Sequence, residues 1–476
     1  MQSKQLFAAL AACFLVVIPV LFYVPLSSDL QIANTHSVTS STQTTIDNAT
    51  TDLVSTSSLA GVNLIPPLHV QTSTTDSATT SKTISSSTTA PPKSNQPIAA
   101  PAESGGGNTS APAGFFPASD LQLINLTAKE QANYILTLQL PNGAILESNQ
   151  RYVVFTRDLA LAAIGLTLNG YTSQSGRAVE FLLSLKQGAS NFSRPANVPQ
   201  SPDAWYQVYD GQGDVYEQSL RGEDQGMALF AISDYILATG NYSLATRYWG
   251  KIESAANFIV YLQQTPEPGM PFTGMYRHGD NWLDSRIENM QDGTPVYWPY
   301  WPEYYHWEEE NMRMIMGLRG AISLAENLGY KVDARVWNAS VSLALLGLAN
   351  ENKYNKFETY DYFGSVLWGI QSNMTLAKRV VQNVPADLLT GYGLKDLPWE
   401  NHASSPDTID YMVCLARIGD LPAAEHYLNL IVSDYSSPSG GFYGSLYMNG
   451  SLETSEATVF ASARFLYFAS VANSMD

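Results

Sequence analysis

Residues 408 to 432 read TIDYMVCLARIGDLPAAEHYLNLIV. Apolar side chains recur at helical spacing on both sides of the short turn IGDLP, so the stretch describes two helices, 406–418 and 421–433, folded back on each other as an αα-hairpin. The same pattern extends outward. Segments 127–139, 156–169, 174–187, 223–238, 242–263, 308–328, 331–349, 358–371, 374–383 and 454–473 carry it as well, and NGYTS, TGNYS and NLGYK separate consecutive members as IGDLP does. These twelve predicted helices make six hairpins, an all-α domain over 114–476. Only NGAILES and RYVVF look strand-like, and no fixed repeat motif recurs to suggest an α-solenoid. The long connections at 188–222, 264–306, 384–405 and 434–453 fall at alternate joints. In a barrel of hairpins they gather at one end, where they would build a site.

Upstream of this domain the composition changes twice. Residues 6–24, LFAALAACFLVVIPVLFYV, are uncharged and about long enough to cross a bilayer as a helix. With Lys4 on the short side and no convincing cleavage site after it, residues 1–27 read as a membrane anchor or signal segment, and the expectation is an uncleaved anchor with the remainder outside. Residues 28–113 are rich in Ser, Thr, Ala and Pro, as in TISSSTTAPPKSNQP, with too little apolar surface to offset their ordering entropy. They read as a disordered, glycosylated stalk. Sequons at Asn48, Asn108, Asn125, Asn191, Asn241, Asn338, Asn373 and Asn449 favour the extracellular side of a cell membrane. The chain has 2 cysteines, Cys13 in the anchor and Cys414, so the outer domain holds no internal disulfide. A net charge of −18 argues against nucleic acid, whose phosphates require a basic face.

Several charged motifs stand out in a chain with only 14% charged residues. In RYVVFTRDLALAAIGL, Arg157 and Asp158 lie where a strand-like run meets a helix. Asp there can cap the helix beside a surface salt bridge, or the pair can grip two sugar hydroxyls through a guanidinium fork and a carboxylate. In PYWPEYYHWEEENMRM, Glu308, Glu309 and Glu310 open a helix, where acidic side chains complement the positive dipole end. Three glutamates exceed that need, and successive helical residues lie about 100° apart, so the three cannot all serve one site. Trp298, Trp301, Tyr304, Tyr305 and Trp307 offer flat faces for pyranose rings and the apolar surroundings that raise a carboxyl pKa.

Taken in order, these stretches resemble the (α/α)6 barrel of the six-hairpin glycosidases, and most specifically the glucoamylase family, glycoside hydrolase family 15. NGAILES with RYVVFTRDLALAAIGL is similar to that family's strand leading into Arg-Asp and a helix. HWEEENMRMIMGLRGAISLAENLG is similar to its Trp-Glu helix, and the hairpin 408–432 with SEATVFASARFLYFA is similar to its last hairpin. The resemblance implies an inverting hydrolase of α-glucans or α-glucosides. It places the general acid on Glu308, a substrate contact on Glu309, and the sugar grip on Arg157 and Asp158; Trp301 and Trp307 are expected beside them as sugar-binding aromatic faces.

The resemblance also implies a general base just after the turn of the last hairpin, but Gly444 and Ser445 stand there. Glu453 and Glu456 are the nearest carboxylates, expected at the start of the last helix, with Glu456 favoured because it begins that helix. Arg221 and Asp224, with Glu223, head another inward helix as a rim contact or a capping box. Trp282, with His278, Asp280 and Asp284, suits sugar binding in a long loop, where the His/Asp spacing matches no standard metal site. Glu400 lies where the resemblance expects a substrate loop. The expected partners are an oligosaccharide or polysaccharide and the membrane; no metal and no cofactor are expected. Because the base is displaced, a non-catalytic carbohydrate-binding surface protein is the alternative.

Overall fold

The computed structural model describes residues 116–189, 199–265, 275–276, 288–289, 295–296, 308–349, 360–453 and 455–475, all within the unit Val62–Asp476. The expected anchor and stalk lie outside the described residues, as do Trp282, Trp298, Trp301, Tyr304, Tyr305 and Trp307. Among the described residues no helix is long and apolar enough to cross a membrane. Of the sequon asparagines, Asn125, Asn338, Asn373 and Asn449 are exposed.

The helices in chain order are α1 Ala118–Leu138, α2 Thr156–Leu168, α3 Thr172–Ser184, α4 Gly222–Thr239, α5 Tyr242–Arg247, α6 Trp249–Gln264, α7 Glu308–Leu328, α8 Lys331–Ala349, α9 Tyr360–Leu367, α10 Met374–Gln382, α11 Ser405–Ile418, α12 Leu421–Asp434 and α13 Val459–Asn473. Two kinds of helix alternate. Helices α2, α11 and α13 are buried on nearly every face, whereas α12 buries only Leu421, Ala424, Leu428 and Ile431, the narrow stripe of a helix with water on its other side. The buried type forms a closed ring in which α2 packs on α4, α4 on α7, α7 on α9, α9 on α11, α11 on α13 and α13 on α2. Outside it, α3, α6, α8, α10 and α12 each pack on the inner helix that precedes them, and α1 packs on α13. This is an (α/α)6 barrel whose sixth pair joins the first and last helices of the domain rather than neighbours in sequence.

Local chemistry sets the turns. In the hairpin quoted above, Ser404 caps α11 through Asp407 N, Gly419 ends it at φ 78°, a left-handed conformation that costs glycine least, and the Asp420 side chain caps α12 at Ala423 N. The inner ring also depends on small side chains. A methyl on Gly317 would fall 2.3 Å from the Gly226 carbonyl oxygen, and one on Gly226 would fall 2.5 Å from that of Arg313. Bare backbones therefore let α4 and α7 approach closely, which brings Glu223, one turn earlier on α4, to Arg313. Toward the other end of the inner helices, Phe230 of α4 meets Trp368, just past α9, edge-on at 6.3 Å, and Trp368 meets Tyr467 of α13 at 5.4 Å. These elements are not neighbours in the ring, so the rings touch through its interior.

The joints from outer to inner helix carry short strands. These are β1 Val153–Phe155, β2 Gln187–Gly188, β3 Ala204–Trp205, β4 Val208–Asp210, β5 Val215–Glu217, β6 Glu288–Asn289, β7 Pro295–Val296, β8 Leu389–Thr390, β9 Gly393–Leu394, β10 His402–Ser404, β11 Phe442–Tyr443, β12 Ser445–Tyr447 and β13 Ala457–Thr458. One sheet runs β1-β4-β5 and another β12-β10-β9-β8.

Several expected boundaries move. Helix α1 begins at Ala118, not 127. The predicted helix 242–263 is two helices, because Tyr248 leaves helical geometry and Trp249 restarts the chain stacked on Tyr330 at 4.3 Å. NGAILES forms no strand beyond a single bridge between Gln139 and Ile145. The last helix begins at Val459, capped by Thr458, whose extended backbone pairs in β13 with β11. Glu453 and Glu456 therefore precede that helix: Glu453 follows β12, and Glu456 stands just before β13.

Candidate active site

Each inner helix receives the chain from a long joint, so the N-terminal ends of the ring share one end of the barrel, and charged side chains collect there. Arg157 lies in the first turn of α2. Its Nε donates to Asp158 Oδ1 at 3.1 Å, and its Nη1 reaches Glu223 Oε1 at 3.3 Å. Neither capping expectation describes these motifs, since no side chain caps the start of α2 or of α4. Glu223 also takes Arg221 Nη1 at 3.8 Å and an ion pair from Arg313 of α7. Arg313 Nε in turn pairs with Glu309, one helical turn earlier. Across the ring, Arg464 of α13 pairs with Asp410 of α11, and the Arg157 and Arg464 guanidinium carbons lie 4.4 and 4.2 Å from the centroid of the Phe460 ring. One connected set of charges thus spans α2, α4 and α7, with a second pair joining α11 and α13.

The electrostatics follow from burial. Burial raises the Glu309 carboxyl above its ordinary value, and Arg313 and Arg464 oppose that rise. Asp224 is pushed well above the carboxylate range by burial and then by neighbouring Glu223, against Arg221 and Arg157; its Oδ2 is buried without a partner. Desolvation works against the Arg157 charge, but Glu223, Asp158 and Asp224 more than offset it and keep the guanidinium ionised.

The structure brings Arg157, Asp158, Arg221, Asp224 and Glu309 of the sequence-derived set together at this end. Glu308 opens α7, but its side chain, like Trp301, Trp307 and Trp282, lies outside the described residues. Glu456 and Glu453 belong to different surroundings. Ser148 Oγ donates to Glu456 Oε2 at 2.5 Å, beside the loop that enters β1. Glu453 is bonded to the hydroxyl of Ser445, the residue at the position where a base is expected. Its Oε1 lies 3.4 Å from His402 Nδ1, while His402 Nε2 lies 3.5 Å from Glu400 Oε2. Glu400 is raised by burial, with the Leu397 N–H and His402 opposing. Glu400, His402 and Glu453 thus form a rim cluster on β10 and its flanks, leading into α11.

Sequence reasoning left out Glu147, Arg313, Asp410, Phe460 and Arg464. The signal was present for some of them: Asp410 and Arg464 interrupt otherwise apolar inner helices, where a charge must be paired. Arg313 stands four residues after Glu309.

Solved structures share this fold. A wild-type glycosidase superposes with TM-score 0.54 at 13% identity, over 76% of this chain and 99% of that one. A glycosidase variant in complex with glucose gives 0.53 at 13%, over 76% and 99%. A cellobiose 2-epimerase from Spirochaeta thermophila gives 0.50 at 11%, over 75% and 98%. The sequence matches no protein-family model and no curated protein.

Glu223 is the hub of this network, and removing one partner of a buried ion pair costs about 3–5 kcal/mol. Glu223→Gln removes a buried carboxylate that pairs with both Arg313 and Arg157, leaving Arg313 the pair with Glu309, and the expected loss in denaturant unfolding is of that size. Arg221→Ala, at the half-buried edge, costs much less. Equal losses in the two variants would show that Glu223 is not the hub.

Proposed function

We propose that this protein is a carbohydrate-active enzyme, a glycoside hydrolase acting on α-glucosides or α-glucans. The observation that carries this reading is the union of an (α/α)6 barrel, shared with a glycosidase whose structure holds glucose, with buried carboxylates and an Arg157–Asp158 pair at the N-terminal end of its inner ring. A carboxylate and a planar guanidinium at one mouth suit the paired hydroxyls of a sugar. Glu223 pairs with Arg157 from α4, and Arg157 Nε in turn donates to Asp158.

Under this reading, Glu308 protonates the glycosidic oxygen and a second carboxylate takes a proton from water, which attacks the anomeric carbon from the opposite face; the leaving sugar departs as an alcohol. Inversion of this kind needs the two carboxyls about 6.5–9.5 Å apart. The base role falls on Glu453 or Glu456. Glu453 has support the sequence could not supply, because its carboxylate is bonded to Ser445, at the position where the resemblance expects a base. Glu456 is instead tied to Ser148. The same displacement of the base supports the second reading, a carbohydrate-binding protein that does not cleave.

Glu308→Gln is expected to lower turnover of maltooligosaccharides or trehalose by about 10²–10⁴-fold with binding retained. One of Glu453→Gln and Glu456→Gln should do the same, and an α-linked substrate should first yield the β-anomer, read by NMR before mutarotation. A protein that binds these sugars and turns over none of them is the binding protein instead.

The apolar segment 6–24 and the Ser/Thr-rich stretch 28–113 support display of this domain on the outer side of a cell membrane. Protease added to intact cells is then expected to release a glycosylated fragment, whereas protection until lysis would contradict that placement.

A further inference from the structure

Phe460, the second residue of α13, is only partly buried, and two arginines lie over its ring. The Arg464 guanidinium carbon is 4.2 Å from the ring centroid and the Arg157 guanidinium carbon is 4.4 Å from it. A guanidinium at that distance is attracted to the negative face of the ring. The two arginines differ in their surroundings. Arg464 stands one turn after Phe460 on the same helix, is fully enclosed, and pairs with Asp410 of α11. Arg157 comes from α2 with 29% of its side chain exposed.

Arg157 is the one of the two that a ligand can reach. Its Nε donates to Asp158 Oδ1 at 3.1 Å and its Nη1 to Glu223 Oε1 at 3.3 Å, and among the described residues nothing accepts from Nη2. Carboxylates on two of its nitrogens leave the guanidinium free to tilt, and the Phe460 ring limits that tilt from a third direction. The ring is placed without help from Arg157. Val459 N donates to the Glu147 carbonyl at 3.0 Å, and the Thr458 side chain caps α13 at Ala461 N, so the first turn that carries Phe460 is fixed by the backbone.

We infer that Phe460 is a positioning residue: seated against Arg464 on its own helix, its ring holds the Arg157 guanidinium so that Nη2 is the donor presented to a sugar hydroxyl. The inference rests on the reading that Arg157 and Asp158 grip the sugar. It also joins the Asp410–Arg464 pair to the Arg157–Glu223 network through an uncharged ring, so the two sets of charges at this end act on the ligand together.

The test uses the full chain, with glucose and maltose as probes in calorimetric titrations. Phe460→Leu keeps an apolar side chain but has no π face, and it is expected to bind about tenfold more weakly, the effect of one partly buried cation–π contact, while its melting curve shows it folded. Phe460→Tyr keeps the face and is expected to retain the parental affinity. Nitrogen-15 NMR of the arginine side chains supplies a readout that needs no sugar. The Arg157 Nε–H signal, identified by its absence in Arg157→Lys, is expected upfield in the parent and in Phe460→Tyr, through the ring current, of its position in Phe460→Leu. Equal losses of affinity in Phe460→Leu and Phe460→Tyr, parental affinity in Phe460→Leu when Arg157→Lys is weakened, or an Arg157 signal that does not move between the parent and Phe460→Leu would overturn the assignment. Arg157→Lys separates the two ideas. Parental sugar binding in that variant removes the sugar grip, while the Arg157 signal in Phe460→Leu still decides whether the ring holds the guanidinium.

Discussion

Six inner helices point their N-terminal ends the same way, and the partial positive charge of those ends governs what side chains can gather there. Carboxylates are favoured at such positions, and Asp158, Glu223, Asp224, Glu309 and Asp407 all stand in or near first turns. Helix ends alone do not neutralise so many buried acids. Arg157, Arg313 and Arg464 supply the counter-charges, each from an inner helix, and Phe460 lies against two of the guanidiniums. The close contact of α4 and α7 through Gly226 and Gly317 is part of the same construction, because it brings Glu223 within reach of Arg313. Farther along the barrel, Phe230, Trp368 and Tyr467 meet ring to ring from elements that are not neighbours in the ring.

Much of this architecture was legible in the sequence. Helical periodicity marked the helices, and the placement of long joints at alternate positions put the site at one end, since an inner helix must always be entered from the same side. Arg157, Asp158, Arg221, Asp224 and Glu309 were legible as well, because charges heading apolar helices need a reason. What was hidden depends on distances between segments remote in sequence. Nothing local in NGAILES shows that Ser148 meets Glu456, or that the Glu147 carbonyl accepts from Val459 N, across the seam between the first and last helices. The start of α13 was misplaced because Glu453 and Glu456 look like a helix head, whereas pairing of Ala457–Thr458 with Phe442–Tyr443 holds the chain extended until Val459.

That seam closes the ring and borders the candidate site at once. Val459 N bonds to the Glu147 carbonyl, Tyr134 bonds to the Ala457 carbonyl, and Phe460 then lies over Arg157. Residues that join the ends of the domain thus also aim the side chains of the candidate site. On the facing rim, Glu400, His402, Ser445 and Glu453 tie the joints before α11 and α13 together. Under the proposed hydrolase reading, a base supplied by this rim in place of one on the last hairpin's turn would be a rearrangement of the loops alone.

The central claim is that the N-terminal end of the inner ring is a sugar site organised by Arg157 and Asp158. A crystal structure of the protein soaked with glucose tests it most directly. The account predicts one pyranose at that end, with adjacent hydroxyls bonded to the Arg157 guanidinium and the Asp158 carboxylate. A sugar bound elsewhere on the barrel, with Arg157 and Asp158 still joined only to each other and to Glu223, would contradict it.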